Sequence, residues 1–363
     1  MTRATHWPAL DGVRGLAVLG VFLFHFGQWS AVYGDTTAPG WLRWLNPGQM
    51  GVDLFFVLSG FLITGILVRS RGQCGYFRNF YARRCLRIFP LYYAYLALFF
   101  VIGAAWRIPD FMWGEMWWYL PFLQNFASTF SPQRLGGPHH FWSLAVEEHF
   151  YLAWPLVVSI FPAPQLRIIC AGLVATAFLV RCGFLLAGLD VFTFTLCRMD
   201  SLAIGAWLAL LQMDGPSWSR IRRWVMSGWW AGLALLVVAY AAVSGSQHVF
   251  LQATKYTLTA LAAAGLLVLV LEKEPTHVIP RFFSLAWLRS LGRISYGFYV
   301  FHPYLMQRLT GFFFHEKGSP WHGQAGPAML ADLVFLFLLT LAISLVSWKF
   351  LEQPFLRLKK SFV

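Results

Sequence analysis

Ten long apolar stretches constrain this chain more than any other feature of its sequence. Each runs for about 17 to 25 residues, the length that an α-helix needs to cross the hydrocarbon core of a bilayer. They lack the alternation of apolar and polar residues that marks outer-membrane β-barrels. The sequence therefore predicts an all-α, polytopic integral membrane protein with about ten transmembrane helices. The predicted helices lie near residues 13–31, 51–69, 88–106, 142–161, 167–187, 195–212, 228–243, 253–271, 286–308 and 329–351.

Composition agrees with this class and bounds the organisation of the chain. Hydrophobic residues make up 58% of the 363 residues and charged residues only 12%, far more apolar than a soluble domain needs. The sequence shows no internal repeat and no low-complexity tract, so we expect one membrane domain over residues 1–363 without an appended soluble domain. A further segment near 113–126 is short, aromatic and contains Glu115, and it is predicted to lie at the membrane interface.

Lys and Arg residues predict how the helices are oriented. With ten helices, the three most basic segments, 69–87, 213–227 and 357–360, fall on the same side of the membrane. Cytoplasmic loops carry an excess of Lys and Arg, so this side and both termini are expected to face the cytoplasm. The net charge of +13 is then explained by topology and by contact with anionic membrane lipid, and no nucleic-acid partner is expected.

Three polar residues interrupt the first apolar stretch, DGVRGLAVLGVFLFHF. Arg14 and His25 are eleven positions apart, so they share one helix face within roughly 20° and are separated by roughly 16 Å along the axis. Asp11 lies one turn before Arg14 on the same side. Because ionisable residues are costly in a bilayer, this face is expected to meet the bundle interior or a wet cavity. The alternative is structural: Asp11 pairs with Arg14, and His25 hydrogen-bonds to a neighbouring helix.

A second polar group opens the fourth predicted helix, in HHFWSLAVEEHFYLAWP. Glu147 and Glu148 are adjacent and cannot share one helix face, so one of them is expected to point inward. Glu147 is predicted to lie about a turn and a half from the outer surface, at a level comparable with His25. A carboxylate there can orient a histidine and stabilise its protonated form, or it can form half of a structural ion pair.

The third group is the pair Arg84 and Arg87 in YARRCLRIFPLYY. Three positions apart at the cytoplasmic start of the third predicted helix, the two guanidinium groups can bind a phosphate or diphosphate. Positive-inside topology alone also explains them. Two other polar sites are interpreted as structural: Arg198 with Asp200 as a local ion pair, and His302 as a buried, hydrogen-bonded residue.

Metal and nucleotide chemistry find no support in the motifs. The five cysteines include no CxxC pair and none falls in a predicted outer loop, so neither a disulfide nor a zinc site is predicted. The chain also contains no GxxxxGK[ST] loop of the kind that binds ATP. We therefore expect no metal.

Seven stretches together resemble acyltransferase family 3, the membrane proteins that include bacterial O-antigen, exopolysaccharide and nodulation-factor O-acetyltransferases. The stretches occur in the order of the family and are spread over nearly the whole chain. Any one of them is weak evidence, whereas all seven in order are strong evidence. They are LDGVRGLAVLGVFLFHF, GVDLFFVLSGFLIT, FYARRCLRIFPLYY, HFWSLAVEEHFYL, RMDSLAIGAWLA, LGRISYGFYVFHP and LEQPFLRL.

The resemblance implies roles for particular residues. Arg14 and His25 match the family's arginine and histidine pair, which is thought essential for transfer. Arg84 and Arg87 match its Arg-x-x-Arg motif, which is thought to engage the acyl-coenzyme A donor, and Glu147 matches the glutamate of its WSLxVE motif. The expected residues are therefore His25, Arg14 and Glu147 for catalysis, Arg84, Arg87 and Arg14 for the donor, and His140, Trp142 and Glu148 for the acceptor.

The resemblance also implies a function. An acyl group, most simply acetyl, is expected to pass from cytoplasmic acyl-coenzyme A to a hydroxyl of a glycan or glycolipid at the outer side of the bacterial inner membrane. A neutral His25 would take the hydroxyl proton and return it to the departing thiolate. Direct transfer and a covalent acyl-enzyme relay both remain open.

A secondary transporter, or a flippase for a lipid-linked glycan, is the alternative from another class of protein. Such proteins also combine about ten helices with buried Arg, His and Glu residues. The two halves of this sequence show neither a repeat nor a matched pair of broken helices, which weighs against that alternative. The sequence leaves the acceptor, the acyl chain and the oligomeric state open.

Overall fold

Helices make up almost the whole of the computed structural model, which describes residues 7–29, 40–105, 115–130, 135–232, 249–271, 278–316 and 318–362. No strand occurs among these residues. Seven of the described helices are long and apolar enough to cross a membrane. The predicted fold class, an all-α polytopic membrane protein, is confirmed, whereas the count of ten helices and the cytoplasmic termini stay predictions. The seven spans are Pro8–Trp29, Trp44–Ser70, Tyr76–Val101, Ala163–Leu186, Thr195–Met213, Val249–Val270 and Gly326–Ser361.

The chain divides into two compact units, and each has helices of its own. The described part of the first unit lies mainly within residues 1–52 and 273–354, and that of the second within 53–239, 244–272 and 355–363. The expectation of one domain over the whole chain is not tested by this division and stays a prediction. The α-helices are α1 (Pro8–Trp29), α2 (Gly51–Ser70), α3 (Tyr76–Ala105), α4 (Met116–Tyr119), α5 (Gln124–Phe130), α6 (Trp142–Ile160), α7 (Ala163–Leu186), α8 (Thr195–Met213), α9 (Gly215–Trp224), α10 (Val249–Val270), α11 (Val278–Phe283), α12 (Ala286–Arg293), α13 (Ser295–Leu309), α14 (Phe312–His315), α15 (Ala325–Ser347) and α16 (Gln353–Leu358).

Helix α1 is held in the first unit by close contact of backbones. It packs against α12, α13 and a 3₁₀ helix, Gly40–Met50. At Gly15 the approach to α12 is so close that a β-carbon would overlap the carbonyl oxygen of Leu288, which is why the position needs glycine. The helix that carries Arg14 and His25 is therefore positioned by its backbone as well as by its side chains.

The ninth predicted helix, over residues 286–308, is two helices in the structure. Helix α12 ends at Arg293 and α13 begins at Ser295, and Ile294 between them has φ −98° and ψ 8°, outside the α-helical range. The prediction of one continuous helix is wrong here because an apolar pattern does not register a break at a single residue. Helix α13, which carries His302, is 15 residues long.

In the second unit, α3 begins earlier than the sequence predicted. Its first residue is Tyr76 rather than a residue near 88, so Arg84 and Arg87 lie two to three turns inside the helix and not at its start. The predicted start is wrong because hydropathy locates where a helix becomes apolar, whereas arginines are good helix formers that extend it before that point. The two arginines still share one helix face.

Other predicted segments are reproduced in part. The fourth predicted helix, 142–161, corresponds to α6. The seventh, 228–243, lies mostly outside the described residues. The segment 113–126 is described from residue 115 and contains α4 and the start of α5, helices of four and seven residues that are each far shorter than the about 20 residues of a span. Its location at the membrane interface stays a prediction.

Candidate functional site

Arg14 and His25 lie on one uninterrupted helix, as the sequence predicted. Helix α1 runs from Pro8 to Trp29 without a break, so the shared face of the two side chains follows from its regular geometry. Nη1 of Arg14 donates a hydrogen bond to Oδ1 of Asp11 at 3.1 Å, and the two form an ion pair. The pairing of Asp11 with Arg14 that the sequence suggested is confirmed, and it orients the guanidinium group on this face.

His25 is joined to a second histidine in the first unit. Nδ1 of His25 lies 2.9 Å from Nε2 of His302, and Nδ1 of His302 lies 2.9 Å from the carbonyl oxygen of Phe298, one turn earlier in α13. His302 is fully buried, whereas His25 is half-buried. The hydrogen bond from His25 to a neighbouring helix, which the structural alternative expected, is present, and the catalytic role of His25 stays a prediction. This hydrogen bond leaves the other ring nitrogen of His25 for a reaction partner.

Aromatic rings surround the two histidines. The ring of Phe22 lies 6.0 Å from that of His302, the ring of Phe24 lies 5.2 Å from that of His25, and Tyr299 lies 5.8 Å from His302. Aromatic neighbours lower the local polarity, which strengthens a hydrogen bond made beside them. The surroundings therefore suit proton transfer between His25 and a bound hydroxyl group.

In the second unit, Glu147 is held by a serine that the sequence did not single out for chemistry. Oγ of Ser59 in α2 donates a hydrogen bond to Oε1 of Glu147 at 2.6 Å. Oγ of Ser59 also lies 2.9 Å from the hydroxyl oxygen of Tyr151, a contact in which either hydroxyl group can donate. Ser59, Glu147 and Tyr151 thus form one chain of hydrogen bonds between α2 and α6.

Arg84 and Arg87 lie beside this chain. Helices α3 and α6 are joined where the hydroxyl of Tyr81 donates to the carbonyl oxygen of Leu152 at 2.8 Å. The guanidinium group of Arg84 lies 5.5 Å from the centre of the Tyr151 ring, a cation–π distance. The charges of Arg84 and Arg87 both act on Glu147.

The arginine pair and the glutamate pair were predicted at different depths, and the structure brings them together. Arg84 also acts electrostatically on Glu148, whose Oε1 is buried and has no hydrogen-bond partner among the described residues. Glu147 and Glu148 are both half-buried, so their exposure does not distinguish which of them points inward. The expectation that only one does so stays a prediction. The cluster combines two cations, two carboxyl groups and a tyrosine, a set that can bind a charged polar ligand.

His140 and Trp142, the other expected acceptor residues, are both buried. His140 belongs to a short 3₁₀ helix, His139–Phe141, and its ring lies 6.3 Å from that of Tyr95. Trp142 begins α6 and lies 5.5 Å from the guanidinium group of Arg198. Their role in acceptor binding stays a prediction.

Arg198 and Asp200 do not form the local ion pair that the sequence suggested. Nη2 of Arg198 donates to Oδ1 of Asp53 in α2 at 2.8 Å, and Asp200 pairs with Arg181 of α7 at 2.9 Å. That prediction is wrong because residues two apart on a helix point to different sides, which their spacing already indicated. Arg198 is fully buried and its guanidinium group lies 4.1 Å from the centre of the Tyr256 ring. It therefore contacts residues of other helices and not a neighbour on its own helix.

Metal ligands are not grouped in the part of the chain that the structure describes. No set of three or more His, Cys, Asp or Glu side chains there could hold a metal ion. The described cysteines are all free.

Comparisons with known proteins agree on one family. Residues 7–349 match a family model described as an acyltransferase domain. The peptidoglycan O-acetyltransferase OatA of Listeria monocytogenes is 26% identical over 363 residues, which cover 92% of this chain and 55% of the relative. The O-acetyltransferase OatA of Staphylococcus aureus is 24% identical over 371 residues, covering 96% of this chain and 57% of the relative. The chain thus spans about half the length of the curated relatives it matches, and no solved structure matches it significantly.

Proposed function

Because this chain belongs to acyltransferase family 3, we propose that it is a membrane O-acetyltransferase. The acetyl donor is acetyl-coenzyme A on the cytoplasmic side, and the acceptor is a hydroxyl of a glycan or glycolipid at the outer side of a bacterial cytoplasmic membrane. The two relatives are named as O-acetyltransferases, one of them of peptidoglycan, which supports O-acetyl transfer to a glycan. This chain spans only about half the length of these relatives, so their acceptor is not carried over as a fact, and a glycan acceptor is proposed here.

The observation that carries the proposal is the hydrogen bond between His25 and His302 on the helix that also holds Arg14. A half-buried imidazole fixed at one nitrogen has the other available as a base. The acceptor oxygen attacks the thioester carbonyl carbon while its proton passes to His25. The carbon–sulfur bond then breaks, and the proton returns from His25 to the thiolate. Thioester and alcohol become ester and thiol, so the step needs no further reactant.

The remaining residues hold the substrates. Arg14, oriented by Asp11, binds a polar group of the donor within reach of the transfer site. Arg84 and Arg87 bind the phosphates of coenzyme A, where bidentate guanidinium contacts are strong. Glu147, held by its hydrogen bond from Ser59, assists catalysis through its carboxyl group. The acceptor is bound by His140, Trp142 and Glu148.

Purified protein in lipid nanodiscs, with radiolabelled acetyl-coenzyme A and a cell-wall glycan fraction, tests the proposal. We expect a labelled ester that alkali releases as acetate. His25→Ala should reduce the initial rate at least about 100-fold, the usual contribution of a general base, while coenzyme A still binds. His322→Ala, which removes an exposed histidine from a loop, is the matched control and should act like the parent.

Two results would contradict the proposal. A labelled ester formed at an unchanged rate by His25→Ala would remove the base from the mechanism. Glycan moved across the bilayer with no covalent product under any condition would indicate a transporter or flippase instead.

A further inference from the structure

We infer that His302 is a positioning residue that keeps the proton of neutral His25 on Nδ1 and so leaves Nε2 of His25 with the lone pair that accepts the hydroxyl proton. The inference rests on the proposed function and deepens it at the same site. It gives a second histidine a role that acts through His25.

The position of the proton on His25 follows from two hydrogen bonds, taken one after the other from Phe298 to His302 and from His302 to His25. The carbonyl oxygen of Phe298 can only accept, so Nδ1 of His302, at 2.9 Å, is the donor. A neutral imidazole carries one N–H, and Nε2 of His302 is therefore an acceptor. Nδ1 of His25, at 2.9 Å from that atom, must then donate. By elimination the lone pair of neutral His25 resides on its Nε2.

The burial of His302 supports the neutral form on which this elimination depends. The side chain has 0% of its surface exposed and packs against the rings of Phe22 and Phe298, at 6.0 and 6.1 Å between ring centres. A second proton on this ring would place a charge on a fully buried side chain, at a large cost in desolvation. It would also remove the acceptor that faces His25.

His302 also stabilises the state that proton transfer creates. When His25 takes the acceptor proton on Nε2 it becomes an imidazolium, and its Nδ1–H bond to His302 becomes a charge-assisted hydrogen bond. Hydrogen bonds to charged groups are roughly twice as strong as neutral ones, so this bond strengthens as the reaction proceeds. The partner of a catalytic base commonly orients it in this way, and here that partner is a second imidazole ring.

Kinetics on two variants of His302 test the inference. His302→Leu keeps an apolar side chain of similar bulk but offers no acceptor, and His302→Gln places an amide oxygen near the position of Nε2. We expect kcat of the leucine variant to fall about 100-fold or more, with KM for acetyl-coenzyme A changed by less than about threefold. The glutamine variant should recover at least about tenfold of that loss.

A purely structural role for His302 predicts a different pattern. It would reduce kcat equally in the glutamine and leucine variants, in proportion to the loss of folded protein measured by thermal unfolding. That result, or a leucine variant with kcat within twofold of the parent, would overturn the inference. An inactive parent protein would instead contradict the proposed function, so the two failures are distinct.

Nitrogen-15 NMR of histidine-labelled protein in lipid reads the tautomer without any activity. We expect His25 of the parent to carry its proton on Nδ1, with its signals assigned by their loss in His25→Ala. In His302→Leu the proton should move to Nε2, the tautomer that free imidazole side chains favour. Finding Nε2–H in the parent would overturn the inference even if every His302 variant failed to fold.

Discussion

At the scale of single residues, three ionisable side chains of the helices have three different kinds of partner. Arg198 has the carboxylate of Asp53, and Arg84 has the ring of Tyr151. His25 has a neutral ring, that of His302. Because charges at membrane depth are costly, only the residue whose partner leaves a reactive atom available is suited to chemistry. That distinction favours His25 as the catalytic group.

The arginine pair gives a prediction at this scale. Arg84→Ala combined with Arg87→Ala should raise KM for acetyl-coenzyme A at least about tenfold and change kcat by less than about threefold, since charge-assisted contacts to phosphate would be lost before the chemical step. Initial rates over a range of donor concentrations measure both constants. Arg83→Ala removes an exposed arginine of the same helix and is the control. An unchanged KM in the double variant would contradict donor binding by Arg84 and Arg87, and positive-inside topology would then explain the pair.

At the scale of elements, packing distance positions the candidate catalytic helix. Helix α1 meets α12 backbone to backbone at Gly15, and α2 meets α8 in the same way at Gly60, where a β-carbon would overlap the carbonyl oxygen of Leu202. Within a membrane the hydrophobic effect does not drive helices together, so the close packing that small residues allow contributes to their association. The position of His25 relative to α13 therefore depends on contacts several turns away from it.

Substitution at Gly15 should disturb that packing. Gly15→Ala is expected to lower the free energy of unfolding by about 1 to 3 kcal/mol, as overpacking does elsewhere, and to lower the unfolding temperature in detergent. Gly183→Ala in α7 is the matched control because no atom lies within 4 Å of the added methyl group. It should be neutral or stabilising, by up to about 1 kcal/mol of helix propensity. Equal unfolding temperatures for the two variants would show that close approach of α1 and α12 contributes nothing.

At the scale of the whole molecule, the distribution of basic residues predicts how the chain lies across the membrane. The segment between α2 and α3 contains Arg71 and the exposed Cys74, and Arg71 donates to the carbonyl oxygens of Ser159 and Phe161 at the end of α6. A cation at a helix C-terminus is favourable, so this segment is ordered as well as basic. It is the part of the chain expected to face the cytoplasm.

Accessibility of Cys74 tests this orientation. In a variant with the other four cysteines replaced by alanine, a membrane-impermeant maleimide should label Cys74 in inside-out vesicles and not in intact cells. A single cysteine at His322, in the loop expected outside, should give the opposite pattern in the same cysteine-free background. Labelling of Cys74 in intact cells would contradict the predicted topology.

Features of the fold that depend on composition or on one regular helix could be predicted from the sequence, whereas helix breaks and helix starts could not. The membrane class, most helices and the shared face of Arg14 and His25 depend on composition and on the regular geometry of one helix, and these were predicted. The spacing of Arg198 and Asp200 already argued against a local pair and was misread. The break at Ile294 and the early start of α3 were missed because hydropathy averages over many residues.

The sequence by itself determined that this is a helical membrane protein of acyltransferase family 3, with one arginine and one histidine aligned on its first helix. Only the tertiary structure decided that His25 meets His302, that Ser59 binds Glu147, and that Arg84 lies over Tyr151. Within a helix, spacing determines direction. Which residue of another helix a side chain meets depends on how backbones pack across many turns, and no local pattern encodes that.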